Sequence, residues 1–265
     1  MNKVNWGYCT HSWNPLAMRC TRTSEGCDHC WHLTMADRLA KNPKMHAGLR
    51  ACYAGESAPV LCRWNDPMLR KKPAVIATQF MGDLGHPSIQ PVDVALVFDM
   101  IRMTKQHTYL VLTKRPGNLI RYLERFKKAL LNPQALSNLY LGVTVENQRT
   151  ADERIPILLQ IPAAGHWLSI EPMLGPVDLY PAFCGFEPPS WGCGPDISGV
   201  VLGGESGPGA RPMHPDWARG VRDQCADSGV PLFVKQLNID GKVSKNPDEW
   251  PEDLRVRQTA WGMPA

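Results

Sequence analysis

The feature that most constrains this chain is a rhythm running from residue 74 to residue 235. Short, nearly continuous apolar runs at 74–80, 108–113, 139–145, 166–170, 197–202 and 231–235 read as buried strands. Between them, 90–106, 118–130, 150–160 and 216–228 carry apolar residues at helical spacing. A short strand near 4–9 and a helix over 31–40 precede this series. Strands that alternate with helices imply a parallel sheet, because each parallel partner is reached through a crossover. Six to seven evenly spaced units favour a partial or complete (β/α) TIM-type barrel over an open doubly wound sheet. The expected organisation is one barrel domain over 1–239, with insertions near 42–73 and 177–196. A polar tail, 240–265, packs on one end.

Ahead of the rhythm lies a cluster of thiols, Cys20, Cys27 and Cys30, spaced C-x6-C-x2-C. Thiolates this close suit a soft metal or an iron–sulfur cluster. A structural zinc would close its shell with a fourth ligand, for which His11, His29 and His32 are candidates. A four-iron cluster would leave one iron open to a cofactor or substrate. Spacing alone leaves the cluster, a zinc knuckle and unligated thiols all standing. Gly26 is expected to allow a tight turn before the last two thiols.

The nine cysteines form an odd count with three bunched, which argues against a disulfide framework. Neither a signal peptide nor an apolar run of about 18 residues is evident, so a soluble, cytoplasmic protein without membrane contact is expected. Twenty-nine basic and 25 acidic side chains leave a net charge of +4, which permits a nucleic-acid partner without requiring one. Arg70, Lys71 and Lys72, with the basic face of the helix at 118–130, are compatible with phosphate contacts.

Polar residues recur where the strands end. Met81, Gly82, Asp83 and His86 follow the second strand, Lys114 and Arg115 the third, and Glu146 the fourth. Glu171 follows the fifth, Gly203, Gly204, Glu205 and then Arg211 the sixth, and Lys235 stands at the last. In a parallel barrel these ends converge on one face, where a cavity forms. Gly82, Gly203, Gly204 and Gly207 are expected to let the backbone approach a ligand closely.

The motifs as a set resemble a known family. They are Trp13-Asn14-Pro15, the three thiols with Ser24-Glu25-Gly26, Met81-Gly82-Asp83, Thr113-Lys114-Arg115-Pro116, Glu146-Asn147, Ser169-Ile170-Glu171-Pro172, Gly203-Gly204-Glu205-Ser206-Gly207, Arg211 and Lys235-Gln236. Together they are similar to the phage and bacterial three-cysteine family long described as of unknown function, itself similar to radical S-adenosylmethionine enzymes. The usual thiol spacing in those enzymes is C-x3-C-x2-C, so the first gap here is longer.

The resemblance implies a [4Fe–4S] cluster on Cys20, Cys27 and Cys30, with S-adenosyl-L-methionine bound at the open iron. Cleavage of the sulfonium would release a 5′-deoxyadenosyl radical. Met81, Gly82, Asp83, Lys114, Arg115, Glu146, Gly203, Gly204 and Arg211 are the implied cofactor contacts, and Glu171, Glu205 and Lys235 the candidates for substrate positioning or proton transfer. The implied substrate is a nucleobase adduct in phage DNA, such as an amino-acid-modified thymidine, with isomerisation as one outcome. A flavodoxin-like or ferredoxin-like protein would donate the electron. Two other classes stay open: a zinc-stabilised nucleic-acid-binding protein without catalysis, and a nuclease holding Mg²⁺ on Asp83, Glu146, Glu171 and Glu205.

Overall fold

The computed structural model describes residues 1–125, 136–184, 196–239 and 241–261. The end of the helix expected at 118–130 and most of 177–196 lie outside these residues. The chain opens with β1 (Asn2–Lys3), β2 (His11–Trp13) and β3 (Leu16–Ala17), then α1 (Trp31–Ala40) and α2 (Ala47–Ala54). It continues with β4 (Val60–Leu61), α3 (Asp66–Leu69), β5 (Val75–Thr78), α4 (Pro91–Met103), β6 (Thr108–Thr113) and α5 (Pro116–Glu124). Next come β7 (Leu139–Thr144), α6 (Gln148–Leu158), β8 (Gly165–Ile170), α7 (Tyr180–Cys184) and β9 (Ile197–Gly203). The last elements are α8 (Pro215–Asp227), β10 (Leu232–Ile239) and β11 (Lys242–Ser244).

One nine-stranded sheet runs in the order β1-β2-β5-β6-β7-β8-β9-β10-β11. The seven strands from β2 to β10 are parallel, and β1 and β11 pair antiparallel at the two edges. Spatial order follows chain order, so the sheet winds in one direction and never reverses. Among the described residues no ladder joins β1 to β11, so the complete barrel, one of the two expected forms, is not closed by hydrogen bonds.

Period two sorts each strand onto two faces. Ile76, Val111, Val143, Leu168, Val200 and Val234 pack with Val97 of α4, Leu119 of α5, Ile155 of α6 and Val221 of α8. The other face carries Val75, Ala77, Leu110, Trp167, Val201 and Phe233, packed with Tyr8 and Trp261. Both faces are apolar, which is why the strands read as continuous runs. Helix starts obey local rules. Pro91 and Pro116 stand in the first turns of α4 and α5, and Asn147 with Thr150 forms a capping box on α6.

The Tyr8 ring lies 5.5 Å from Phe233 of β10, and Trp261 Nε1 donates to the Tyr8 carbonyl at 2.8 Å. The free edge of β10 is covered by the tail: Val234 N–H donates to Val256 O, and Gln258 N–H to Leu232 O, each at 2.9 Å. The tail thus packs on the sheet between β10 and the N-terminal segment.

Two expectations are corrected. No strand forms at 4–9, because Gly7 takes a φ of +81° and turns the chain; the first parallel strand is β2. The excursion at 42–73 contains α2, β4 and α3, with β4 paired antiparallel to β3. These elements are too short for their periodicity to show. Among the described residues no helix is long and apolar enough to cross a membrane.

Candidate active site at the strand ends

The loop from Met18 to Cys30 follows β2 and β3 and lies across the C-terminal ends of the parallel strands. Cys20, Cys27 and Cys30 all line one cavity of about 750 Å³ there, a usual size for small-molecule sites. None of the three is in a disulfide. Gly82, Asp83, Lys114, Arg115, Glu171 and Gly204 share the lining, as do Glu205 and Lys235. Met81, Glu146, Gly203 and Arg211 stand behind it.

Glu146, fully buried at the end of β7, accepts from Lys114 Nζ at 2.6 Å, Arg154 Nη1 at 2.9 Å and Ser24 Oγ at 2.6 Å. Burial pushes this carboxyl up, but Lys114 and then Arg154 outweigh it and hold it below the usual carboxylate range. Ser24 belongs to the thiol loop, so Glu146 fastens that loop. Gly26 serves the same contact. Its φ is not in the left-handed region, and a Cβ there would lie 2.6 Å from Glu146 Cγ. The expected tight turn is present, a 3-10 turn over Glu25–Cys27, and glycine is needed in it for the close approach of a buried carboxylate.

Glu205, at the end of β9, fastens the other half of the loop. It accepts Arg211 Nε at 2.9 Å, Nη2 at 2.6 Å and the Arg211 N–H at 2.8 Å, and it pairs with His29 Nδ1 at 3.0 Å. Arg211 Nη2 also reaches the Glu25 carbonyl at 2.8 Å. Burial raises the Glu205 carboxyl, but Arg211 outweighs it and the pKa falls to about 2. Its unfolded pKa is about 4.3, so folding gains from this ionisation above that pH and loses it as pH falls toward 2. The full shift is worth about 3 kcal/mol, and screening at the partly exposed Arg211 lowers this to about 2. Urea midpoints of wild type and Glu205→Gln should therefore converge by about 2 kcal/mol between pH 5 and pH 2.5. A constant gap would refute the assignment.

Asp83 is saturated. It accepts Thr113 Oγ1 at 2.5 Å, Gly85 N–H at 2.8 Å, Lys114 N–H at 3.0 Å and Arg115 Nη1 at 3.2 Å. These bonds join the end of β5 to the end of β6 and leave little capacity for a ligand's amino group. Gln79, buried at a φ of +54°, ties both backbone polar groups of Leu16 to Met81 O. Asn14 Oδ1 accepts from Met81 N–H at 2.9 Å. The Trp13-Asn14-Pro15 and Met81-Gly82-Asp83 motifs are thus one structural unit.

The thiols sit among cations. Lys114 Nζ is 3.7 Å from Cys27 Sγ, and Arg115 Nη1 is 3.5 Å from Cys20 Sγ. Burial raises Cys27, but Lys114 together with hydrogen bonds from the Thr23 and Ser24 backbone and the Ser24 hydroxyl outweighs it and the thiol falls below its ordinary pKa; at Cys20 burial prevails and the pKa rises. His32 Nε2 accepts the Cys20 N–H at 3.2 Å, and burial pushes this imidazole down to about 4. With His29 on Glu205 and His11 at the start of β2 bonded to Thr10, none of the three histidines is placed as a fourth ligand.

Donor chemistry suits an iron–sulfur or other thiophilic group, since three free thiols with two neighbouring cations open on one cavity. Among the described residues, however, no three His, Cys, Asp or Glu side chains are gathered as a metal-holding group.

In the same lining, Glu171 accepts Lys235 Nζ at 2.6 and 2.9 Å, and Lys235 lies 5.6 Å over the Trp6 ring. Trp6 stacks on Phe80, and Phe80 on Trp167. Trp6, Lys245 and Arg257 also line the cavity, and sequence patterning did not single them out. Two of them sit in the polar tail, where nothing but tertiary contact marks them. Two of the glycines make room for β10: a Cβ on Gly204 would meet Asn238 Oδ1 at 2.0 Å and one on Gly203 would meet Gln236. The basic stretch Arg70, Lys71 and Lys72 borders a shallow depression with Lys3 and His11, at the opposite ends of the strands.

The fold and site define an α/β protein with a one-way, mostly parallel sheet and a thiol-lined cavity at its strand ends. The chain belongs to the DUF5131 family, described as a protein of unknown function, whose model matches residues 2–254. No curated protein and no solved structure matches it.

Proposed function

We propose that this chain is a radical S-adenosylmethionine enzyme built on a partial (β/α) barrel. The observation that carries the reading is the placement of Cys20, Cys27 and Cys30: three free thiols on the loop after the first parallel strand, all opening on the strand-end cavity. These residues would hold a [4Fe–4S] cluster. When bound, the cluster supplies the electron that cleaves S-adenosylmethionine and so starts hydrogen abstraction from substrate.

The chain's own groups do the positioning. Lys114 favours the Cys27 thiolate, and Arg115 reaches both Cys20 Sγ and the Thr21 carbonyl, the latter at 2.7 Å. Glu146 and Glu205 hold the two halves of the loop, so they act through the thiols and not on substrate. Glu171 and Lys235, which also line the cavity, are the pair to meet a substrate or move a proton.

The substrate implied by the resemblance, a modified nucleobase of DNA, belongs to this reading. Arg70, Lys71 and Lys72 do not serve it, since they face away from the cavity. The magnesium nuclease finds less support. Asp83, Glu146, Glu171 and Glu205 each hold a lysine or arginine within 3.2 Å, which removes them as a shared donor set.

Anaerobic reconstitution with iron and sulfide should give a brown protein. Dithionite and S-adenosylmethionine should then yield 5′-deoxyadenosine, and Cys27→Ala should lose both the colour and the product. A colourless protein carrying one zinc, with no product, would sink the proposal.

A further inference from the structure

Cations around the cavity divide into two groups. Lys114, Arg115 and Lys235 each face a carboxylate within 3.2 Å: Glu146, Asp83 and Glu171. Arg257 and Lys245 line the same cavity and have no such partner among the described residues. Arg257 is held in place all the same. Its guanidinium stands 5.1 Å from the Phe233 ring and 5.3 Å from the Trp250 ring. Neighbouring backbone bonds from Val256 and Gln258 to β10 fix its main chain. A guanidinium pinned by aromatic faces keeps its planar fork of donors pre-organised for an oxyanion. Lys245 is exposed and follows β11, so both cations reach the cavity from the C-terminal tail.

The surroundings define the rest of the ligand. Trp6 and Phe80 are only half-buried, and with Leu112 they give this side of the cavity an apolar wall. The thiol side already carries its own balanced charges. An anion entering the cavity would therefore settle at the tail, with an apolar body along Trp6.

We infer that Arg257 and Lys245 form an oxyanion subsite that takes the phosphate or carboxylate of an organic substrate whose apolar part lies against Trp6. The inference rests on the cavity being the active site, as proposed above, and it adds the charge of the substrate and the residues that read it. The subsite is not the cofactor's adenosyl end, because that end carries no anion.

Isothermal titration of the full chain, without added iron, separates this inference from the proposed chemistry. The probes are uridine 5′-monophosphate, benzoate, uridine and inorganic phosphate. At least one of the two probes joining a ring to an anion should bind about tenfold tighter than both uridine and inorganic phosphate. Binding of the monophosphate alone marks a phosphate site; binding of benzoate alone marks a carboxylate site. Arg257→Met, which keeps an apolar stem on Phe233 and Trp250, should weaken the bound probe about tenfold or more. Lys245→Met, at an exposed position that cannot disturb folding, should weaken it several-fold. Equal binding by wild type and Lys245→Met, no preference over uridine, or displacement of the probe by S-adenosylmethionine would each overturn the inference. Cys27→Ala should leave the probe affinity unchanged while it abolishes iron binding, so failure of one reading does not imply failure of the other.

Discussion

Glu146→Gln should destabilise the protein by about 3 kcal/mol or more, read as a fall in urea midpoint without a change in slope. The glutamine keeps the shape but not the charge. Lys114 and Arg154 would then stay in place with side chains only 18% and 6% exposed and no counterion between them. Removing one member of a buried ionic cluster costs far more than breaking a surface pair, because the remaining charge cannot regain its hydration. Ser24 would lose its acceptor as well, so hydrogen exchange at residues 24–27 should rise along with the loss of stability. A loss under about 1 kcal/mol would show that both cations reach water and that the cluster behaves as a surface pair. Under the proposed function, the same substitution should also lower iron incorporation, since the loop that carries Cys27 is fastened here.

A second large effect is expected four residues earlier in the chain, within β7. Gly142 of β7 lies under the indole of Trp167 on β8, and a Cβ there would sit 2.5 to 2.7 Å from three ring atoms. The ring is fully buried, and its Nε1 donates to the Tyr140 carbonyl at 3.2 Å, so it has nowhere to retreat. Gly142→Ala should cost about 1–3 kcal/mol by overpacking. Trp167 also stacks on Phe80 and meets Trp261 edge-on, so the strain should pass into the floor of the cavity and the docking of the tail. Thermal melting should show the stability loss, and limited proteolysis should show earlier cleavage after residue 245. A neutral substitution would mean that the indole can shift, and that the aromatic floor is looser than its close contacts suggest.

Both effects involve residues whose roles differ from the simplest reading of their positions. Glu146 stands at a strand end as a ligand contact would, and its bonds to Ser24 and Lys114 fasten the thiol loop. Glu205 past β9 does the same through His29 and Arg211 while it lines the cavity. Carboxylates at strand ends face either inward to a cavity or sideways to the next loop, and the choice depends on which cation arrives. Here Arg154 comes from α6, eight residues along the chain, and Lys114 from β6; neither pairing leaves a trace in spacing.

What the chain's residue order settled was the alternation of strands and helices, their approximate bounds and the thiol loop ahead of them. Continuous apolar runs and 3.6-residue spacing are local properties, and a one-way parallel sheet follows once each strand must be reached by a crossover. The gathering of polar residues at the strand ends was legible for the same reason, since parallel strands all finish on one side. Tertiary structure alone decided whether the sheet closed, which carboxylates were consumed by neighbouring cations, and that the tail delivers Arg257 and Lys245 to the cavity. Those outcomes depend on pairings between residues far apart in the chain, where side-chain reach and competition for a partner, and not local periodicity, set the result.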